Sequence, residues 1–315
     1  MSETQRETAV AFFIFNRSDT TQIVFDEIRK AKPKKLFVIA DGPRNGKTGE
    51  AEKCWAARKI IEAVDWDCEV LTNFSEKNLG CKNRIVSGIS WVFEHVEAAI
   101  ILEDDCVPDG SFFNFCSIML DKYKDDTRVM MISGTNLLFD NDFVEGTYYF
   151  SQFFSIWGWA TWGRAWSQYD IKMSKWPEFK KRKIIRSIYK NGLFIKYIET
   201  IFDDMFEEKD DTWDWQWFFS GLVQRGLCIV PGKNLISNIG IDGTHSQNAQ
   251  YLKRETASLD LNIIKDPEFL AIDPRYEDME IKNILKIAGY SYAKYYAIEA
   301  LKKLGLLEFF KEMKK

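Results

Sequence analysis

Two kinds of hydrophobic pattern alternate along the first hundred residues. Short runs rich in Val, Ile and Phe, at Ala9 to Phe15, Leu36 to Ala40, Cys68 to Asn73 and Ala98 to Glu103, have the length and β-branching of strands. Between them lie longer segments with apolar residues at helical spacing, Ser18 to Lys30, Glu50 to Val64 and Cys81 to His95, the first with Ser18 or Asp19 as its expected cap. Such a strand–helix series predicts a parallel sheet with right-handed crossovers. Strands with no polar break belong to sheets covered on both faces. Asn16-Arg17, Asp41-Gly42 and Glu103-Asp104-Asp105 follow three of the strands, so they should share one edge of the sheet, where folds of this kind build ligand sites.

The fourth strand, through Ile100-Ile101-Leu102, runs directly into the triplet Glu103-Asp104-Asp105. Adjacent carboxylates repel one another unless a divalent cation or hydrogen-bond donors offset the charge. Mg²⁺ or Mn²⁺ that also holds a phosphate would do so. The plainer alternative is a solvated loop end or a helix cap, because Asp109 and Ser111 open a helix-like stretch just beyond. Surface charge clusters are seldom launched from a fully apolar strand, which favours the site. No GxGxxG follows the first strand and no GxxxxGK[ST] occurs, so a dinucleotide fold or P-loop is disfavoured.

A chain of 315 residues can form one large α/β domain or two smaller ones. The net charge of −4 supplies no bulk positive field, so nucleic acid is not an expected partner. The six cysteines are scattered, without CxxC or zinc spacing, and read as reduced, mostly core thiols of a cytoplasmic protein. MSETQRETAV lacks the basic start and apolar stretch of a signal peptide, and no apolar run is long enough to cross a bilayer. The expected location is therefore cytoplasmic, with peripheral contact to the inner membrane as an alternative. That contact would use Ala293 to Lys315, an amphipathic helix with Tyr296, Leu301, Leu304, Leu307 and Phe310 on one side and lysines elsewhere. Such a helix either packs on its domain or lies on an anionic membrane.

In chain order, FNR, IADGPR, NLGCKNR, ILEDD, ISGTN, IWGWATWGRAW, WDWQW and NIGIDGTHS resemble the nucleotide-diphospho-sugar glycosyltransferases of the GT-A fold. The resemblance points in particular to bacterial relatives of N-acetylglucosaminyltransferase I, and it runs from about Val10 to Ser246. It implies an α/β, Rossmann-like, mostly parallel sheet flanked by helices, with a smaller acceptor-side region and a C-terminal helical tail. Residues 1–132 would form the nucleotide-sugar-binding half, residues 133–262 the donor-sugar and acceptor half of the same domain, and residues 263–315 the C-terminal helical extension. The implied activity is inverting, metal-dependent transfer from a UDP-sugar to a hydroxyl of a glycan or lipid-linked acceptor, as in bacterial surface polysaccharide synthesis. The implied cofactor is Mn²⁺ or Mg²⁺, and the subfamily suggests N-acetylglucosamine as the sugar.

The resemblance also assigns roles. Asp105 becomes the metal ligand, while Glu103 and Asp104 face the ribose and sugar of the donor. Arg17 and Asp41 become uridine contacts, a carboxylate being able to accept the uracil N3 hydrogen; without the resemblance Arg17 would be a surface charge near a helix start. Gly80 precedes a helix with basic residues at its start, so Arg84 is either a phosphate or sugar contact or merely follows a left-handed turn. The four tryptophans between Ser155 and Trp166 read by themselves as core. In the family this segment closes over the donor sugar, which would make Gly158 and Trp159 contacts.

Trp213 and Asp214 stand in WDWQW, whose bulky rings would desolvate a carboxylate and favour its protonation. The family's WD pair holds the catalytic base here, with Trp213 beside the donor; the alternative is Asp214 as a helix N-cap before Trp217 to Val223. In Gly240 to Ser246, Thr244 stands where the family has Ser, and His245 either ligates the metal or bonds a phosphate. A sugar nucleotidyltransferase would need a glycine-rich basic loop after the first strand, and FNRSDTTQ offers none. A non-catalytic GT-A-like binding or assembly module is the other alternative. A glycosidase is disfavoured, because strand-end acids are adjacent rather than facing across a sugar.

Overall fold

The structure, a computed structural model, describes residues 7–138, 143–240 and 254–289. The four anticipated strands form as β1 (Ala9–Ile14), β2 (Lys35–Ala40), β3 (Glu69–Phe74) and β4 (Ala98–Glu103). All four are parallel neighbours, in the order β3-β2-β1-β4. Every residue of β1 is buried, Ala9, Ala11 and Phe13 in one core and Val10, Phe12 and Ile14 in the other. An unbroken apolar run results because each face of the strand needs its own hydrophobic cover.

The sheet continues through β6 (Val129–Ser133), β7 (Tyr148–Ser151), β8 (Trp159–Trp162) and β9 (Leu227–Pro231) to the full order β3-β2-β1-β4-β8-β6-β9-β7. Strand β8 lies antiparallel between β4 and β6, β9 is parallel to β6, and β7 is antiparallel to β9. The result is a mixed, mostly parallel Rossmann-like α/β sheet. A second, two-stranded ribbon pairs β5 (Cys106–Pro108) with β10 (Ile236–Asn238), and Asn238 stands opposite Cys106.

Helices cover both faces. On one side, α1 (Ser18–Ala31) buries Val24, Phe25 and Ile28, and α4 (Phe112–Lys122) buries Phe112, Phe115 and Met119. Neither Ser18 nor Asp19 caps α1: Arg17 holds the cap position with no side-chain cap bond, and its carbonyl accepts the Thr21 N–H at 3.0 Å. The segment from Glu50 divides into α2 (Glu50–Lys59) and a 3₁₀ turn at Ile60–Ala63. On the other side, α3 (Cys81–Val92) ends before His95, whose Nδ1 lies 2.9 Å from the Trp91 carbonyl.

The same face carries the short helices α5 (Gly163–Trp166), α6 (Trp176–Lys181) and α7 (Ile185–Ile188), with the longer α8 (Gly192–Phe206) and α9 (Asp214–Gln224). Helix α10 (Pro274–Ile287) closes it; Pro274 opens the helix and the Asp273 carboxylate accepts the Arg275 N–H, both ordinary start signals. Residues 293–315, expected as an amphipathic helix, lie outside the described residues. Among the described residues no helix is long and apolar enough to cross a membrane.

Candidate active site

At the carboxyl end of β4, Arg17 reaches over from the end of β1 and pairs with two of the three acids. One guanidinium nitrogen forms a close ion pair with Asp104 Oδ1 and lies 2.9 Å from Asp105 Oδ2. Asp104 also accepts the Phe15 N–H at 3.2 Å and is buried, whereas Glu103 and Asp105 are half-buried. Burial, then Asp105 and Asp104, push the Glu103 carboxyl up to about 8. Burial pushes Asp104 up to about 6 against the pull of Arg17. Burial works against the charge of Arg17, but Asp104 and Asp105 hold its pKa above the usual arginine range. One arginine therefore only partly offsets the negative charge gathered here.

Asp41, at the end of β2, is buried and bonded four times within the chain. Its oxygens accept the Gly42 and Leu79 N–H groups at 2.9 Å, the Leu79 N–H again at 3.1 Å, and the Asn78 amide at 3.0 Å. Those bonds take up most of a carboxylate's acceptor capacity, and they tie the 78–80 turn to the sheet edge. Arg84 turns inward and donates to the carbonyl and side-chain oxygens of Asn73, so in the structure it braces α3 against the end of β3. Beside these, Asn16 donates to Glu50, which is bound by Arg44 and held down at about 2, chiefly by that hydrogen bond.

Residues from far along the chain meet this edge. The Ile239 N–H donates to the Asp105 carbonyl at 2.8 Å, which sets Gly240 so close that a side chain there would run into the Asp105 carboxylate. The first residue of the GIDGTHS stretch thus lies against the triplet, while Thr244 and His245 are outside the described residues. Asp211 accepts the Cys81 N–H at 3.0 Å, at the start of α3. The Cys81 thiol is raised by burial first and then by the charges of Glu103, Asp211, Asp214 and Asp210.

Asp214 is half-buried and opens α9, with Trp213 rather than Asp214 in the cap position. The Thr212 hydroxyl donates to its Oδ1. Asp214 also contributes to raising Glu103, which puts the two carboxylates within electrostatic reach of each other. Trp159 and Trp213 stack, ring centroids 5.7 Å apart, and both are core residues at 1% and 3% exposure. Gly158 is buried as well, and its carbonyl accepts the Gly134 N–H at 2.7 Å. Two of the four tryptophans, Trp159 and Trp162, are thus built into the sheet as β8. All six cysteines are free thiols, with Cys68 and Cys81 half-buried and the other four buried.

No family model matches the chain, and no curated protein matches it either. Among solved structures, it is similar to a mannosyltransferase from Pyrobaculum calidifontis in complex with GDP-Man and Mn²⁺, at 13% identity and a TM-score of 0.31. The match covers 48% of this chain and 44% of that one, less than half of either. A likeness so slight decides nothing about this chain, whose site rests on its own geometry.

Sequence reasoning foresaw the meeting of the strand ends and missed several of their partners. Glu50 and Asp211 carry no local signal: an acid at a helix start and an acid in a polar loop are ordinary features. Among the described residues no group of three or more His, Cys, Asp or Glu side chains converges as a metal cluster. The donor chemistry nonetheless fits a hard divalent cation. Asp104 and Asp105 present oxygens around one guanidinium, and burial first, with Asp105 adding to it, makes the charged forms of Glu103 and Asp104 costly, a cost that a further cation would offset.

Proposed function

We propose that the chain is an inverting, metal-dependent glycosyltransferase that uses a UDP-sugar. The observation that carries this reading is the gathering of Arg17, Glu103, Asp104 and Asp105 at one sheet edge with Asp214 in electrostatic reach, although Asp214 lies more than a hundred positions further along the chain. Arg17 supplies positive charge for a diphosphate, Asp105 supplies oxygen for Mn²⁺ or Mg²⁺, and Glu103 and Asp104 face the ribose and sugar of the donor. A bound divalent cation stabilises the departing diphosphate as a Lewis acid. Asp214 takes the proton of an acceptor hydroxyl, whose oxygen then attacks the anomeric carbon from the face opposite the leaving group. Asp41 orders the 78–80 turn beside the nucleotide, and the Trp159–Trp213 stack holds the start of α9 so that Asp214 keeps its position.

Titration calorimetry of UDP with and without Mn²⁺ tests the reading. We expect heat of binding that depends on the metal, and metal-dependent hydrolysis of at least one sugar nucleotide in a panel of UDP- and GDP-sugars. Absence of both would leave a non-catalytic module.

A further inference from the structure

An apolar cavity of about 190 Å³ lies beside Asp214. Its walls include Phe154, Phe194, Ile198, Trp215 and Phe218, and among the described residues its polar lining is limited to Ser155, Asp214 and Arg254. The helical register explains the combination. Asp214 and Phe218 are four residues apart on α9, so the carboxylate and the ring share one face, and Phe194 and Ile198 stand in the same relation on α8. The segment Phe153 to Trp157, running from β7 into β8, supplies the third wall, held by the Ser133 and Thr135 hydroxyls on the carbonyls of Ser155 and Trp157.

Water in such a space finds few hydrogen-bond partners, and an apolar cavity of about 150 Å³ is already large enough to take benzene. A sugar hydroxyl placed against these rings would lose its hydration without recovering hydrogen bonds. We propose that the acceptor carries a hydrocarbon group next to its reacting hydroxyl, and that this cavity binds that group while the hydroxyl meets Asp214. The proposal rests on the reading of Asp214 as the base. It narrows the acceptor from glycans in general to amphiphilic alcohols, with a hydrocarbon of about six to eight carbons accommodated by the cavity.

The probe is 6-bromohexan-1-ol, whose bromine quenches a nearby indole, read by the tryptophan fluorescence of the full chain. We expect saturable quenching that 1-hexanol relieves and glycerol does not, with affinity rising about fourfold for each methylene from butanol to hexanol. Trp157→Phe with Trp215→Phe, which removes both indoles that line the cavity, should remove most of the binding-dependent quenching. Ile198→Phe and Ile284→Phe, which fill the space from α8 and α10, should each weaken binding at least about tenfold while metal-dependent UDP binding persists; Ile284 is only half-buried, so its variant keeps the test alive if Ile198→Phe fails to fold. Non-saturable quenching, or binding indifferent to chain length, overturns the proposal. So does alkanol binding that emerges only after residues 290–315 are deleted, since the cavity would then belong to that segment. Metal-dependent UDP binding without alkanol binding defeats this proposal alone, whereas alkanol binding without UDP binding defeats the transferase reading.

Discussion

Two side chains show how differently a single residue can be constrained. Asp214 is half-buried, accepts a hydrogen bond from Thr212 and lies among carboxylates, so its charge matters more than its volume. Asp214→Asn keeps the shape and removes the proton acceptor; we expect transfer to fall by about 10²- to 10⁴-fold with UDP binding in the presence of Mn²⁺ unchanged by calorimetry. Retained transfer would falsify the base assignment. Trp159 is the opposite case, a ring at 1% exposure packed on Trp166, Trp213 and Trp217. Replacing it with Ala should cost about 3–5 kcal/mol in urea unfolding, and a cost below about 1 kcal/mol would mean that the ring is no core element.

At the level of elements, the start of α3 depends on a backbone that only glycine tolerates. Gly80 sits at φ 79° and ψ 161°, and a Cβ there would come within 2.7 Å of the Asp211 carboxylate that accepts the Cys81 N–H. Gly80→Ala should therefore destabilise the fold by about 1–3 kcal/mol, seen as a lower thermal midpoint, and should also displace Asp211. An unchanged midpoint would show that the turn relaxes freely. Strands β1, β2 and β4 and the helices between them were legible in the chain because burial on both faces, or on one helical stripe, leaves a local pattern. Other elements were not. Trp159 and Trp162 of β8 read as core tryptophans, yet nothing local says that their strand enters the sheet antiparallel between β4 and β6. Arg84 follows a glycine at a helix start, a pattern that suits either a phosphate contact or a left-handed turn, and its bond to Asn73 becomes visible only when β3 and α3 are side by side.

For the molecule as a whole, α10 is fastened to the sheet by a buried acid. Glu280 is 1% exposed and accepts bonds from Tyr149 at 3.0 Å and Ser151 at 2.8 Å. Burial raises its carboxyl to about 8, outweighing those two bonds. An unfolded glutamate titrates near 4.3, so between that value and about 8 the folded chain holds a proton that the unfolded chain has lost. Stability from this group is thus full below the unfolded pKa and declines as pH rises through the window. Glu280→Gln should flatten the fall of the thermal midpoint between pH 5 and pH 9, a range of our choosing that spans about 4.3 to about 8. A variant that tracks the parent at every pH would remove Glu280 from the account.

The chain by itself determined the strand–helix order of its first half, the apolar run into Glu103, Asp104 and Asp105, and the delivery of Arg17 and Asp41 to the same sheet edge, because these follow from periodicity and from the direction of parallel strands. Tertiary structure decided which groups are spent and which are left facing one another. It engages Asp41 with Gly42, Asn78 and Leu79, turns Arg84 to Asn73, and sets Asp211 on the Cys81 N–H. The physical reason is range: burial patterns repeat every two or 3.6 residues along the chain, whereas hydrogen bonds and charge pairs across the site depend on distances that only the folded packing sets.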